Sequence, residues 1–213
     1  MTTYTICLCQ TSFCNTIRQM NEEISGFKGF LKSFWGEIAQ IVVVSVIIVV
    51  PFRIYVAQPF LVSGPSMDNT FANGQYLIVD ELSYELRSPQ RGEVVIFKYP
   101  LDTKKYFIKR IIGLPGETVE INKDKITIFN EANPKGLTLD EPYAKFDGPT
   151  LERPDTKITL GSDEYFVMGD NRNVSSDSRY WGPVKKDLIT CRPFLRLTPL
   201  NKISLFPGQV EEK

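Results

Sequence analysis

A serine at position 66 has the surroundings of a nucleophile. Residues 60–62, Phe-Leu-Val, favour a strand, and residues 63–65, Ser-Gly-Pro, end it with strong turn formers. Ser66 is therefore expected on a tight turn at the end of an extended segment. Such a turn presents the hydroxyl outward and leaves the backbone N–H of the serine free, as acyl transfer requires. Taken alone, the stretch also fits an ordinary surface turn.

A lysine at position 109 is the candidate base for this serine. The sequence contains no histidine, so the usual general base of serine hydrolases and the commonest metal ligand are missing. Strand alternation places Phe107, Lys109 and Ile111 on one face, so the lysine lies between apolar neighbours. Burial there would lower its pKa and make it a base near neutral pH. A solvated lysine on an edge strand is the alternative.

Hydroxyls and opposite charges are concentrated in residues 169–182, which begin Gly-Asp-Asn-Arg and end Arg-Tyr-Trp-Gly. This composition predicts a loop that hydrogen-bonds to itself. Within it, Asp177 and Arg179 are candidates for an ion pair that fixes the loop, and Ser175 is a candidate to orient a neighbouring amine. A structured loop without a catalytic role fits this stretch equally well.

Short strands are the elements expected to position these residues. Beyond residue 71, stretches of strand-forming residues alternate with turn residues, and none has a sustained helical period. The predicted strands are 76–79, 93–99, 106–112, 118–121, 126–129, 157–160 and 164–168. The fourth and fifth form a hairpin that closes near Lys123, and residues 130–156 are expected to be a surface excursion. The fold class is therefore mainly β, with an antiparallel body.

Composition narrows the function further. The chain has 213 residues, enough for one domain with a real core. Lysine plus arginine and aspartate plus glutamate both number 25, so no basic field favours a nucleic-acid partner. Cys7, Cys9 and Cys14 lie near the start and Cys191 lies near the end, without the spacing of a zinc site. No metal or cofactor is expected.

Residues 38–52 form an apolar run without charge. As a helix this run reaches about 22 Å, short of the roughly 30 Å hydrocarbon core of a bilayer. Extension to Gln58 gives about 31 Å, with Arg53 reaching the head groups and Pro59 stopping the helix. We therefore expect a transmembrane helix over residues 38–58. A buried strand of Val and Ile is the alternative, but it would be unusually long.

The expected organisation of the chain follows from this span. It comprises an N-terminal segment 1–37, the transmembrane helix 38–58, a β-rich body 59–206 and a C-terminal tail 207–213. Met20 precedes an ordinary protein start, so residues 1–19 are expected to lie outside the native chain.

Together the candidate stretches resemble the signal peptidase I family, the membrane-bound Ser/Lys endopeptidases that remove signal peptides from exported proteins. The matching residues are Gly64-x-Ser66-Met67-x-x-Thr70, Arg91-Gly92-Glu93-Val94-Val95, the segment 106–117 and the segment 169–182, with a weaker match over 197–203. The resemblance implies an antiparallel coiled β-sheet catalytic domain, of the type shared with SOS-repressor proteases. It also implies a single-pass anchor in the cytoplasmic membrane, with residues 1–37 cytoplasmic and the catalytic body outside the cytoplasm.

The resemblance also implies roles for individual residues. Ser66 would be the nucleophile, with its N–H in the oxyanion hole, and Lys109 the general base. Ser175 would hydrogen-bond the lysine amine, and Asp177 and Arg179 would hold the loop beneath it. The implied partners are signal peptides of exported pre-proteins and the lipid bilayer, with no cofactor, metal or nucleic acid.

Five further residues match the two strands that clasp an extended substrate by strand addition in the family. They are Phe60, Val62, Ser63, Tyr106 and Ile108. The family's shallow pockets accept small side chains at the first and third positions before the cut, which implies cleavage after Ala-x-Ala sequences.

The chain departs from the family pattern near the nucleophile. Gly64 stands where some relatives carry an additional hydroxyl donor, and Asn69 and Phe71 stand where proline and leucine are usual. We expect a looser turn after Ser66 as a result. Two other functions remain open: a Ser/Lys self-cleaving regulator, which usually carries a DNA-binding domain, and a tethered β-domain that only binds exported chains, which would not need both Ser66 and Lys109.

Overall fold

The computed structural model describes residues 35–48, 58–123, 125–146 and 156–210. The chain divides into two compact units, Met1–Phe52 and Arg53–Lys213. In the first unit, residues 35–48 form helix α1, whose apolar side chains are exposed. Within the described residues, no helix is both long enough and apolar enough to cross a bilayer. Residues 49–57 of the expected span lie outside the described residues, as do residues 1–34 and the tail beyond residue 210.

The described part of the second unit consists mostly of strands. In chain order the elements are β1 Gln58–Leu61, β2 Tyr76–Asp80, α2 Leu82–Leu86, β3 Val94–Tyr99, β4 Asp102–Gly113, β5 Thr118–Asn122, β6 Lys125–Phe129, β7 Leu137–Thr138, β8 Thr156–Thr159, β9 Glu164–Met168, α3 Ser178–Trp181, β10 Val184–Lys185, β11 Ile189–Arg196 and β12 Ser204–Leu205.

The strands form two antiparallel sheets. The larger has the order β1-β2-β11-β3-β4-β9-β10, with β12 paired to β11, and the smaller has the order β7-β6-β5-β8. The predicted hairpin is confirmed, since β5 and β6 pair over their full lengths and Lys123 closes the turn at φ 55°. The prediction of a mainly β, antiparallel body is therefore confirmed.

All seven predicted strands occur, but sequence reasoning missed the central strand β11. The proline at position 193 argues against a central strand, because it cannot donate to the ladder. In the structure the pairing with β2 shifts register between Pro193 and Leu195, so the proline lies at an irregularity that interrupts regular pairing. Strand β4 also begins earlier than predicted, at Asp102.

Strand β3 holds the larger sheet together because it is buried on both faces. Val94 and Ile96 pack with the apolar side chains that follow Ser66. Val95 and Phe97 pack into a different cluster, with side chains of β4, β9 and β10. Since β3 pairs with β4 over six residue pairs, this packing holds β4 close to the Ser66 turn.

Two expectations need correction. The expected helix end at Gln58 is wrong, because Gln58 begins β1 and pairs with Val79. The physical reason is Pro59, whose ring disfavours the helical conformation of the preceding residue. The expectation that residues 130–156 form only a surface excursion is also wrong in part. Residues 141–146, called the strap below, pack against the 169–182 loop through a parallel bridge between Lys145 and Asn171.

Candidate active site

Ser66 lies on the turn that follows β1. Before it, the Val62 N–H donates to the Gln75 carbonyl at 2.9 Å and extends the pairing with β2. The chain then turns at Gly64, whose φ of 92° favours glycine. After it, the Phe71 N–H donates to the Met67 carbonyl at 2.7 Å, and both of these side chains are fully buried. The serine is therefore held between a strand end and a packed turn.

The Lys109 side chain approaches this serine from strand β4. The lysine is 4% exposed, and its Nζ donates to the Ser66 Oγ at 2.8 Å and to the Ile108 carbonyl at 3.0 Å. The two candidate residues, 43 positions apart, are thus in direct hydrogen-bond contact. No described residue accepts a hydrogen bond from the Ser66 N–H, so this donor is available to a ligand.

Burial changes the acidity of the lysine. Desolvation lowers the pKa of Lys109 from 10.5 to about 8, although the negative charges of Asp177 and Asp170 oppose the change. At pH 7, a pKa of about 8 leaves about one amine in ten neutral, compared with a few in ten thousand for an ordinary lysine. Burial also raises the pKa of Asp177 to about 6, which leaves this carboxyl mostly ionised at pH 7.

The 169–182 loop is held by the Asp177 carboxylate. Arg179 binds it through Nε and Nη2, both at 2.7 Å, and the Gly169 N–H donates to it at 3.0 Å. The same carboxylate caps helix α3 by accepting the Arg179 N–H. The predicted ion pair between Asp177 and Arg179 is therefore present, with both side chains buried.

Ser175 is buried in this loop but does not bond the lysine as expected. It lies near Asp177 and offsets part of the rise in the pKa of that carboxyl, but its Oγ makes no well-directed hydrogen bond within the described part of the chain. The lysine amine is instead directed to Ser66 and to the Ile108 carbonyl. Gly169 allows this packing, because a Cβ there would collide with the Ser175 hydroxyl and the Ser66 carbonyl.

A buried ion pair that sequence reasoning did not assign links the three candidate stretches. Arg110, beside the lysine on β4, binds Asp170 at 2.8 Å and 2.6 Å, and both side chains are almost fully buried. Thr70, from the Ser66 turn, donates to the same carboxylate at 2.5 Å. The signal in the sequence was a pair of unassigned charges, Arg110 next to Lys109 and Asp170 near the start of the 169–182 loop.

The five residues matched to substrate strands all line one cleft of about 460 Å³ beside Ser66 and Lys109. Phe60 on β1 and Tyr106 on β4 face each other across it, with ring centroids 5.7 Å apart. Strand β1 ends the sheet order and so has an open edge. The backbone groups of Val62 form hydrogen bonds with Gln75 and Gly74. Because backbone groups alternate in direction along a strand, those of Leu61 and Ser63 point to the open edge of β1.

The cleft also has residues that the sequence did not indicate. Val174 and Ser176, from the 169–182 loop, line it on either side of Ser175 in sequence, and Lys105 lines it on β4. Among the described residues, no group of three or more histidine, cysteine or carboxylate side chains is placed to hold a metal. The arrangement suits acyl transfer to an extended chain: a hydroxyl, a buried amine, a free N–H and an open strand edge.

Comparison with known proteins identifies the class to which this site belongs. Residues 35–198 match the family model described as signal peptidase, peptidase S26. The chain therefore belongs to the signal peptidase family S26, whose members are serine hydrolases that act on signal peptides.

Signal peptidases from Synechocystis and Bacillus agree with this assignment. The chain is 36% identical over 185 residues to the "Probable signal peptidase I-2" of Synechocystis, covering 84% of this chain and 80% of the relative. It is 33% identical over 148 residues to the signal peptidase I of Bacillus amyloliquefaciens, covering 66% of this chain and 75% of the relative. A crystal structure of a signal peptidase I from Enterococcus faecalis matches with 32% identity and a TM-score of 0.41, covering 50% of this chain and 97% of the other.

Proposed function

We propose that the protein is a membrane-bound serine endopeptidase that removes N-terminal signal peptides from exported proteins, cutting after Ala-x-Ala sequences through a Ser66/Lys109 dyad and an acyl-enzyme. The observation that carries the proposal is the 2.8 Å contact between the Ser66 Oγ and the Lys109 Nζ, made by a lysine that is only 4% exposed. A buried amine with a pKa of about 8 can supply the neutral base that a serine nucleophile needs.

The chemistry begins with the neutral fraction of Lys109. Its Nζ takes the Ser66 proton as the Oγ attacks the scissile carbonyl carbon, and the new ammonium then protonates the departing amine. This leaves the signal peptide esterified to Ser66. Lys109, neutral again, takes a proton from water as that water attacks the ester, and proton return to the Oγ regenerates the serine.

The backbone N–H of Ser66 is the proposed donor to the oxyanion. It points to no described acceptor in the resting site, so it is free to bind the oxygen as charge develops there. Gly64 has no hydroxyl to add, and its N–H is used by the Asn73 side chain at 2.9 Å. Asp177 and Arg179 are proposed to support the site by fixing the 169–182 loop, and Ser175 by filling the space beside Gly169.

The substrate is proposed to bind as an extra strand between β1 and β4. The open backbone groups of Leu61 and Ser63 would pair with the signal peptide, and the aromatic rings of Phe60 and Tyr106 would flank it. The cleft walls near Ser66 are apolar, so a polar substrate side chain would have no hydrogen-bond partner there. The walls also limit the size of the substrate side chain, which favours alanine.

Residues 38–57 are proposed to contain the membrane anchor, with the catalytic body outside the cytoplasm. Support comes from the uncharged apolar run 38–52 and from the exposure of apolar side chains along α1, among them Ile41 and Ile47 at 65% each. Carbonate extraction of cell membranes tests the anchor, and protease treatment of spheroplasts tests the orientation. Release of the full chain by carbonate would contradict the anchor, and a body protected in intact spheroplasts would contradict the orientation.

Cleavage of a precursor whose signal ends in Ala-x-Ala tests the dyad. The full chain in detergent is expected to cut after the last alanine, and Ser66→Ala and Lys109→Ala are expected to abolish cutting. Ser162→Ala and Lys125→Ala, at exposed positions, are the matched controls and should retain activity. Normal cutting by Ser66→Ala would exclude Ser66 as the nucleophile, and normal cutting by Lys109→Ala would exclude Lys109 as the base.

The pH dependence of kcat/KM provides an independent test. Because the reactive form is the neutral amine, activity should rise with pH through the Lys109 pKa of about 8 and should fall about tenfold per pH unit below it. A profile that is already level between pH 6 and pH 7 would show that another group is the base.

A further inference from the structure

The strap connects to the nucleophile through one backbone ladder. The Lys145 N–H donates to the Asp170 carbonyl at 2.7 Å, and the Arg172 N–H donates to the Lys145 carbonyl at 2.9 Å. Asn171 lies between Asp170 and Arg172, and its N–H donates to the Ser66 carbonyl at 3.0 Å. Since successive backbone groups of an extended chain point to opposite edges, the Asn171 peptide lies between the strap and the nucleophile.

Buried charged contacts hold the strap in place. Glu141 binds Arg172 at 2.9 Å and 2.6 Å, and these side chains are 8% and 2% exposed. Tyr143 donates to Glu141 at 3.0 Å, and its ring lies 3.9 Å from the Arg110 guanidinium. Because Arg110 is the partner of Asp170, the strap is anchored to the same network that joins β4 to the 169–182 loop.

A side chain of the strap also reaches the nucleophile turn directly. The Lys145 Nζ binds the Asp68 Oδ2 at 3.1 Å, with these side chains 24% and 42% exposed. Asp68 lies two residues after Ser66, and its contact with Lys145 is the main reason why the pKa of its carboxyl is lowered. The strap therefore contacts the Ser66 turn by two routes, one through Asn171 and one through Asp68.

We propose that the strap is a positioning segment that keeps Ser66 aligned with Lys109 during the reaction. The proposal rests on the proposed function, since it assigns the strap to the same Ser/Lys site. The strap contacts neither the Ser66 Oγ nor the Lys109 Nζ, so its residues act through Asn171 and Asp68. Small displacements of a nucleophile from its base are costly in rate, which is why an outer support of this kind affects turnover.

The test removes the side-chain route while leaving the buried anchors intact. The variants are Lys145→Met, Asp68→Asn, the double variant, and Lys145→Arg, which keeps the charge. Lys157→Met is the matched control, because Lys157 forms an exposed ion pair with Glu120 at 2.8 Å in the smaller sheet. Each full-length protein is assayed in detergent on an Ala-x-Ala precursor for kcat and KM.

We expect Lys145→Met to lower kcat about two- to fivefold, the range available to a partly exposed ion pair, with KM unchanged because no cleft residue is altered. Asp68→Asn should have a similar effect, the double variant should be no slower than either single variant, and Lys145→Arg should recover most of the loss. Wild-type kcat in Lys145→Met, or additive losses in the double variant, would overturn the proposal.

Hydrogen exchange separates this proposal from the proposed function. Amides of the 66–71 turn and of Asn171 should exchange faster in Lys145→Met than in wild type, but not in Lys157→Met. This readout needs no substrate, so unchanged exchange would overturn the strap proposal whatever the activity. If wild type leaves the precursor uncut while exchange responds as expected, the proposed function fails and the strap remains a support of the Ser66 turn.

Discussion

Replacing Lys109 by methionine removes a buried amine but keeps an unbranched side chain of similar length. The wild-type protein carries a buried charge in most molecules at pH 7, because its Lys109 pKa of about 8 lies above that pH. A buried charge destabilises the fold unless it is fully compensated, and here two carboxylates compensate only in part. We expect Lys109→Met to abolish cleavage and to remove this destabilisation of the fold.

The size of the effect follows from proton binding. The folded-state pKa of Lys109 lies below its unfolded value of 10.5, so the folded protein binds fewer protons than the unfolded chain between about pH 8 and pH 10.5. The destabilisation is therefore fully present below pH 8 and disappears as the pH rises through 10.5. The difference between these pKa values corresponds to on the order of 3 kcal/mol of unfolding free energy.

Denaturant unfolding from pH 6 to pH 11 measures this effect. The quantity of interest is the unfolding free energy of wild type minus that of Lys109→Met, since groups common to both proteins cancel. This difference should stay constant up to about pH 8 and then rise in favour of wild type by about 3 kcal/mol toward pH 11. Lys125→Met, at an exposed position of β6, controls for removal of a surface lysine.

A flat difference between wild type and Lys109→Met over the whole pH range would refute the reasoning. It would mean that burial does not lower the Lys109 pKa. The lysine would then be almost entirely protonated at pH 7 and unable to serve as the base.

Three further changes test the surroundings of the dyad. Asn69 has a φ of 91°, which proline cannot adopt. Asn69→Pro should therefore lower the unfolding free energy by more than about 1 kcal/mol, whereas Asn69→Gly should not. Equal melting temperatures for the two variants would contradict this. Gly169→Ala should lower kcat at least about tenfold, because the new Cβ displaces Ser175 or the Ser66 carbonyl. Gly161→Ala is the control and should retain activity, because the atoms nearest to its new Cβ belong to the flexible Glu164 side chain. Asp170→Asn leaves Arg110 buried without its charge partner and should lower the free energy of unfolding by about 3–5 kcal/mol in denaturant unfolding. The Gly92 and Gly208 carbonyls also bind Arg110. A decrease below about 1 kcal/mol would show that these carbonyls compensate the arginine charge.

Much of the site was predictable because it depends on local patterns. Alternation along β4 places Phe107 and Ile111 in one apolar cluster, as predicted, and Ile108 in another. The spacing of Asp177 and Arg179 also predicted their ion pair. These predictions hold because neighbouring residues of a strand or a tight loop have few alternative arrangements.

The failures involve contacts that depend on three-dimensional packing. The Ser175 hydroxyl was expected at the lysine amine, but it packs against Gly169 instead. The strap was expected at the surface, but Glu141 and Tyr143 join a buried network. The strap residues contact Arg172 and Arg110 on other segments, and the position of Ser175 depends on how the whole 169–182 loop packs, so no local pattern specifies either contact.

The sequence by itself determined which groups are available: a serine after a strand-breaking turn, a lysine between apolar neighbours, and no histidine to act in its place. Only the tertiary structure decided that the Ser66 Oγ and the Lys109 Nζ meet at 2.8 Å and that burial lowers the lysine pKa to about 8. The reason is physical: residue type and alternation are properties of a few consecutive residues, whereas distance and desolvation depend on how β3, β4 and the strap pack around one point.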